Sequence, residues 1–221
     1  MIMAADFPGC TRGLAVALED ACFDNSAEMA WQDPTETLKH FQDGNNFNHP
    51  RKKDFASVAT NRFPKDNINR IYGYQNSIVL RAYNEHCNAT GKSGYIVKPV
   101  AAVDEFKGAN PAPDHSTGWF LPSVKELYIL FNRDIADIFS NQVYNPDGLI
   151  TRDIVNSSLA AARGDKLDAD SDRGVYWSST EWGTAESYWN GREAFCVSGC
   201  YARVSISQKT SLYRVRAMCA F

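Results

Sequence analysis

Residue types able to do chemistry are present, but their spacing excludes the common reactions. Nucleophilic catalysis needs a serine or cysteine within reach of a base. The four histidines (His40, His49, His86 and His115) all precede the serine-rich C-terminal third. No G-x-S-x-G elbow occurs, so a Ser–His pair would have to join distant halves of the chain. Asp165, Asp168, Asp170 and Asp172 form an acidic run with calcium-like spacing. An EF-hand also requires a glycine at its sixth position and a distal bidentate glutamate, and neither is in place. A hydrated acidic loop is therefore expected and calcium is not favoured. Cys10, Cys22, Cys87, Cys196, Cys200 and Cys219 contain no C-x-x-C pair. With dispersed histidines this gives no zinc set, and free, packed thiols are expected, with Cys196 and Cys200 close enough in sequence to pair. Phosphate-binding glycine loops are absent.

What remains is recognition chemistry. Gly174 to Phe221 is rich in Ser, Tyr, Gly, Cys and Arg, and Trp182, Tyr188, Trp189, Phe195, Tyr201 and Tyr213 crowd one part of it. Aromatics offer large amphipathic contact area, arginine a forked donor, and serine and glycine adaptability. The same density also suits core packing, for which Trp177 and Trp189 are the expected members.

These residues need a frame. Leu14 to Leu18 reads as a buried strand, and Trp31 and Phe41 as core anchors. Tyr74 to Cys87 has helical periodicity, and Val97 to Val103 continues as a short helix or a strand. Lys107 to Thr117 is a Pro- and Gly-rich loop. Ser123 followed by Glu126 is a capping box, placing Leu127, Leu130 and Phe131 toward a core. Asn145-Pro-Asp-Gly reads as a turn, and Thr151 as the N-cap of a helix through about Ala162 that stops at Gly164. Val175 to Ser179 alternates as a half-buried strand does.

The bulk numbers fit one large domain or two small ones, and a single domain over 1–221 is the expectation adopted. The 221 residues are 44% hydrophobic and 12% aromatic, with a net charge of −3. Lysine and arginine are scattered, so neither nucleic acid nor a polybasic membrane contact is expected. No apolar run reaches the roughly 18 residues a membrane span requires. The first residues show no basic, apolar leader.

Three motifs carry a resemblance: Gly118-Trp-Phe-Leu-Pro-Ser with Glu126-Leu, Tyr176-Trp-Ser-Ser-Thr-Glu, and Lys209 with Arg214-Val-Arg-Ala up to Phe221. Together they resemble the bacterial adhesin and formylglycine-generating-enzyme-like branch of the C-type lectin-like domains, strongest over 118–221. The resemblance implies an α+β fold, with about two main helices on a small twisted antiparallel sheet and long loops. Within that branch the arrangement is similar to variable proteins of diversity-generating retroelements from Bacteroides or phage. That likeness implies a scaffold of Trp177, Ser178, Ser179, Glu181, Arg214, Val215 and Arg216, and a changeable ligand surface within 182–213.

On this footing the candidate ligand-binding residues are Trp182, Tyr188, Asn190, Arg192, Tyr201, Arg203, Ser205, Ser207 and Tyr213. The expected partner is a protein or carbohydrate at a cell surface or phage particle. No cofactor and no catalysis are expected, because Gly191 removes a carboxylate that calcium-dependent lectins use and the enzyme branch's Arg-Gly-Gly-Ser-Trp run is missing. The other reading is an adhesin or fimbrial structural subunit that packs the same segment against a neighbour.

Overall fold

A computed structural model describes residues 2–60, 68–132, 138, 146–168, 174–183 and 191–221. The fold is α+β. Its elements are α1 (Ile2–Asp6), β1 (Leu14–Val16), β2 (Met29–Ala30), α2 (Leu38–Asp43), β3 (Ala59–Thr60), α3 (Gly73–Ala89), α4 (Lys98–Ala109), α5 (Val124–Ile129), α6 (Pro146–Ala161), β4 (Val175–Trp182), β5 (Glu193–Ser198), β6 (Arg203–Gln208), β7 (Leu212–Tyr213) and β8 (Met218–Ala220). The main sheet has the order β3-β4-β5-β6, and two small ribbons pair β1 with β8 and β2 with β7. The main sheet is mixed rather than purely antiparallel, because β3 runs parallel to β4.

β4 is central, and it corrects the half-buried alternation expected of Val175 to Ser179: every residue from Tyr176 to Glu181 is buried. Two hydrophobic clusters explain this. Trp177 enters one with Val79, Leu80, Val100 and Val103 from α3 and α4. Tyr176 enters the other with Leu127, Tyr128 and Phe131 around α5 and with Phe195 of β5. Both faces of the strand are covered, so alternation places side chains in two cores instead of one core and water.

Other boundaries shift for local reasons. Only Leu14–Val16 forms β1, all half-buried, and Leu18 is 46% exposed, because this ribbon has β8 on one side alone. Val97 to Val103 resolves as the start of α4. The Asn84 side chain holds the Val97 N–H and C=O at 2.7 and 3.0 Å, and Pro99 fits the first helical turn. Lys107 to Ala109 complete that helix, so the loop begins only at Asn110. α6 starts at Pro146, which turns the expected Pro-Asp-Gly turn into helix and places Thr151 inside it rather than at its cap; Asn145 lies outside the described residues. The predicted capping box at Ser123 and Glu126 is present.

Candidate functional site

Tyr176-Trp-Ser-Ser-Thr-Glu181 joins the frame to the candidate surface, one residue per neighbour. The Trp177 indole N–H donates to the Met29 carbonyl of β2 at 2.9 Å. The β4–β5 register shifts between Trp177 and Glu181, and a bulge leaves backbone groups that need other partners. They have them. Trp31 Nε1 donates to the Ser178 carbonyl at 2.8 Å, the Ser179 N–H donates to the Pro122 carbonyl at 2.8 Å, and Ser178 Oγ donates to the Phe195 carbonyl at 2.7 Å. Ser179 Oγ accepts from Asn76 of α3, and Thr180 Oγ1 accepts from the Val124 N–H at the start of α5.

Glu181 ends the series. It is fully buried, accepts the Leu38 N–H that opens α2, and pairs with Lys209 Nζ at 2.6 Å. Lys209 also donates to Gln32 Oε1 and the Glu36 carbonyl, and its ammonium lies over the Trp31 ring. Burial pushes the Lys209 pKa down, and the Glu181 carboxylate opposes that shift. The β6–β7 turn is thus anchored from inside. Gly191 closes the frame from the other end. Its φ is +77°, and a Cβ there would lie 2.7 Å from the Thr37 nitrogen. Only glycine meets both conditions without displacement.

The implied scaffold residues are accordingly interior: Trp177, Ser178, Ser179, Glu181, Val215 and Arg216 are buried. Arg214, with a side chain 23% exposed, binds Asp20 at 3.0 Å and reaches Asp168 at 3.4 Å. Asp168 of the acidic run therefore faces a guanidinium; Asp170 and Asp172 lie outside the described residues. The six cysteines are free, with Cys10, Cys87, Cys196 and Cys219 buried, and burial lifts the Cys196 thiol to about 12. Among the described residues no group of three or more His, Cys, Asp or Glu could hold a metal ion.

The candidate ligand residues fall into three sets. Arg192, Tyr201 and Arg203 are exposed, and the Arg203 guanidinium stacks on the Tyr201 ring at 4.7 Å. Trp182, Ser205, Ser207 and Tyr213 are half-buried. Of these, Tyr213 packs its ring on Trp177 at 4.6 Å and shares a 2.8 Å hydrogen bond with Ser207 Oγ, so both partly face inward. Tyr188 and Asn190, like Trp189, lie outside the described residues. Sequence reasoning missed Leu212, 60% exposed beside this surface, because a lone leucine in a polar run carries no signal of which way it faces. Phe195, counted among the crowded aromatics, is fully buried. Open hollows of 520, 530, 410 and 610 Å³ are lined by residues outside 182–213.

No protein-family model matches the chain, and no curated protein matches it. Among solved structures it is similar in fold to a fimbrial protein from Bacteroides ovatus ATCC 8483, with a TM-score of 0.64 and 21% identity over 99% of this chain. The match takes in 38% of that protein's chain, so this chain spans well under half of its length.

Proposed function

We propose that the chain is a non-catalytic recognition domain of C-type lectin-like architecture, one domain over 1–221. Its segment 182–213 meets a protein or glycan at a cell or phage surface, without a cofactor. One observation carries this reading: the division between a buried, hydrogen-bonded frame and an exposed aromatic–guanidinium rim at Arg192, Tyr201 and Arg203. Loops and strand ends on a rigid frame tolerate change while the fold persists. In its finer form the reading makes 182–213 the diversified segment of a retroelement variable protein. A near-repeat of the final codons differing at adenines, beside a reverse-transcriptase gene, is the genomic result expected.

The test is the Arg192→Ala, Tyr201→Ala, Arg203→Ala triple variant. Its Tm should stay within about 3 °C of the parent, as for substitutions away from the core. Its capture of glycans on an array and of intact bacterial cells should be lost. Unfolding of the variant, or undiminished capture, would refute the assignment. The fimbrial neighbour favours a second reading, an adhesin or fimbrial structural subunit; concentration-dependent assembly in sedimentation would support it.

A further inference from the structure

β6 is the last strand of the main sheet, and among the described residues its outer edge is open from Val204 to Ile206. Its register with β5 runs unbroken from Glu193↔Gln208 to Ser198↔Arg203, and the Lys209 N–H donates to the Arg192 carbonyl at 2.8 Å. In an antiparallel ladder the bonded pairs alternate. Arg203, Ser205 and Ser207 therefore turn their backbone groups toward β5, and Val204, Ile206 and Gln208 turn theirs outward. Among the described residues that outer edge is bonded at one point, where the Ser211 N–H of the following turn donates to the Gln208 carbonyl at 2.9 Å, and no backbone group bonds to the outward side of Val204 or Ile206. Edges of this length are usually blunted by proline, lysine or a bulge, and Arg203–Gln208 contains none of these.

We propose that β6 takes a fifth strand, an extended segment of another polypeptide bearing a carboxylate at the end beside Arg203. This rests on the recognition reading above and names the partner of the same segment. Val204 and Ile206 lie on one face of the strand and pack on the Phe195 cluster, while Ser205 and Ser207 lie on the other. The incoming strand accordingly alternates apolar with small polar residues, continuing both faces. Charge sets the end group. Arg203 is exposed, held over Tyr201, and has no carboxylate partner among the described residues. Arg192, at the other end, is followed directly by Glu193 and adds no net charge. A second copy of β6 does not answer Arg203. In the two antiparallel registers that overlap most and keep Val204 and Ile206 on a common face, Arg203 meets Ser207 or Lys209 of the other copy.

The probes are capped synthetic peptides, Glu-Val-Thr-Val-Thr-Val-Thr and its reverse, with lysine replacing glutamate in the controls. A glutamate peptide should slow amide exchange at Val204, Ile206 and Gln208 by at least about tenfold, in alternate positions, as strand pairing requires. The lysine peptides should bind about tenfold more weakly, and Arg203→Glu should reverse that order. Gln208→Pro and Ile206→Pro each remove an outward N–H while sparing the β5 ladder, and both should abolish binding in folded protein. Protection absent from the three alternate amides, an unchanged charge preference in Arg203→Glu, or a free protein that dimerises through β6 would overturn the proposal. Ligand capture that is lost in the triple alanine variant but kept in Gln208→Pro would overturn strand addition alone and leave the recognition surface standing.

Discussion

Lys209 and Glu181 lie 2.6 Å apart with no solvent contact, and neither could be placed from its type, since lysine and glutamate are ordinarily surface residues. Taking two charges out of water is costly, and it is tolerated here because the remaining donors and acceptors are used. The ammonium reaches Gln32 and the Glu36 carbonyl, and the carboxylate holds the Leu38 N–H. Removing one partner leaves the other charge buried and unanswered. Lys209→Met should therefore destabilise the fold by about 3–5 kcal/mol. The Lys209→Met, Glu181→Gln double variant should recover part of that loss, since no buried charge remains. Urea unfolding of the two single variants and the double would measure the coupling.

At the scale of elements, the start of α5 is where sequence and structure meet most closely. The Ser123 and Glu126 box was legible because two polar residues three apart before an apolar run have few other uses. What could not be read is that Glu126 Oε2 also accepts the Gly73 N–H at 2.8 Å, joining the starts of α3 and α5. A Cβ on Gly73 would sit 2.2 Å from that oxygen. Burial raises the Glu126 carboxyl from 4.5 to about 7, against the lowering effect of these N–H groups. The sign follows from linkage. The folded state holds this proton more tightly than the unfolded chain, so stability is full below about pH 4.5 and falls as pH rises toward 7. The loss is on the order of 3 kcal/mol, and above pH 7 the dependence flattens. Glu126→Gln should flatten the pH 4.5–7 segment of the profile, read as the urea midpoint against pH.

The whole molecule is closed by its two ends. Arg12 and Gly13 N–H groups both donate to the Phe221 carbonyl, β1 pairs with β8, and β2 pairs with β7. Asp20 accepts from Arg214 at 3.0 Å and from Arg216 at 2.7 Å, and Arg216 is fully buried. The recognisable motifs sit in 118–221, yet Trp177, Glu181, Arg214 and Arg216 each bond to a partner in the first forty residues. A fragment of 118–221 should therefore lack dispersed amide signals and a cooperative melt, while the full chain unfolds in one transition. A folded, cooperative fragment would contradict this, because it would not need those N-terminal partners.

Several features were determined by the sequence alone because their causes are local: the helix over 74–87, the cap at Ser123, and the burial of Trp31, Phe41, Leu127 and Phe131. Periodicity and capping act within a few residues, and a single chain displays them. Tertiary structure decided which side of each element met water. β4 lost its expected alternation because helices cover it on both faces, and Tyr213 turned inward because Trp177 lay beneath it. β6 kept its outer edge open from Val204 to Ile206 because no described strand paired with it there. Burial and pairing depend on neighbours supplied from distant positions, and residue type does not encode which neighbour arrives.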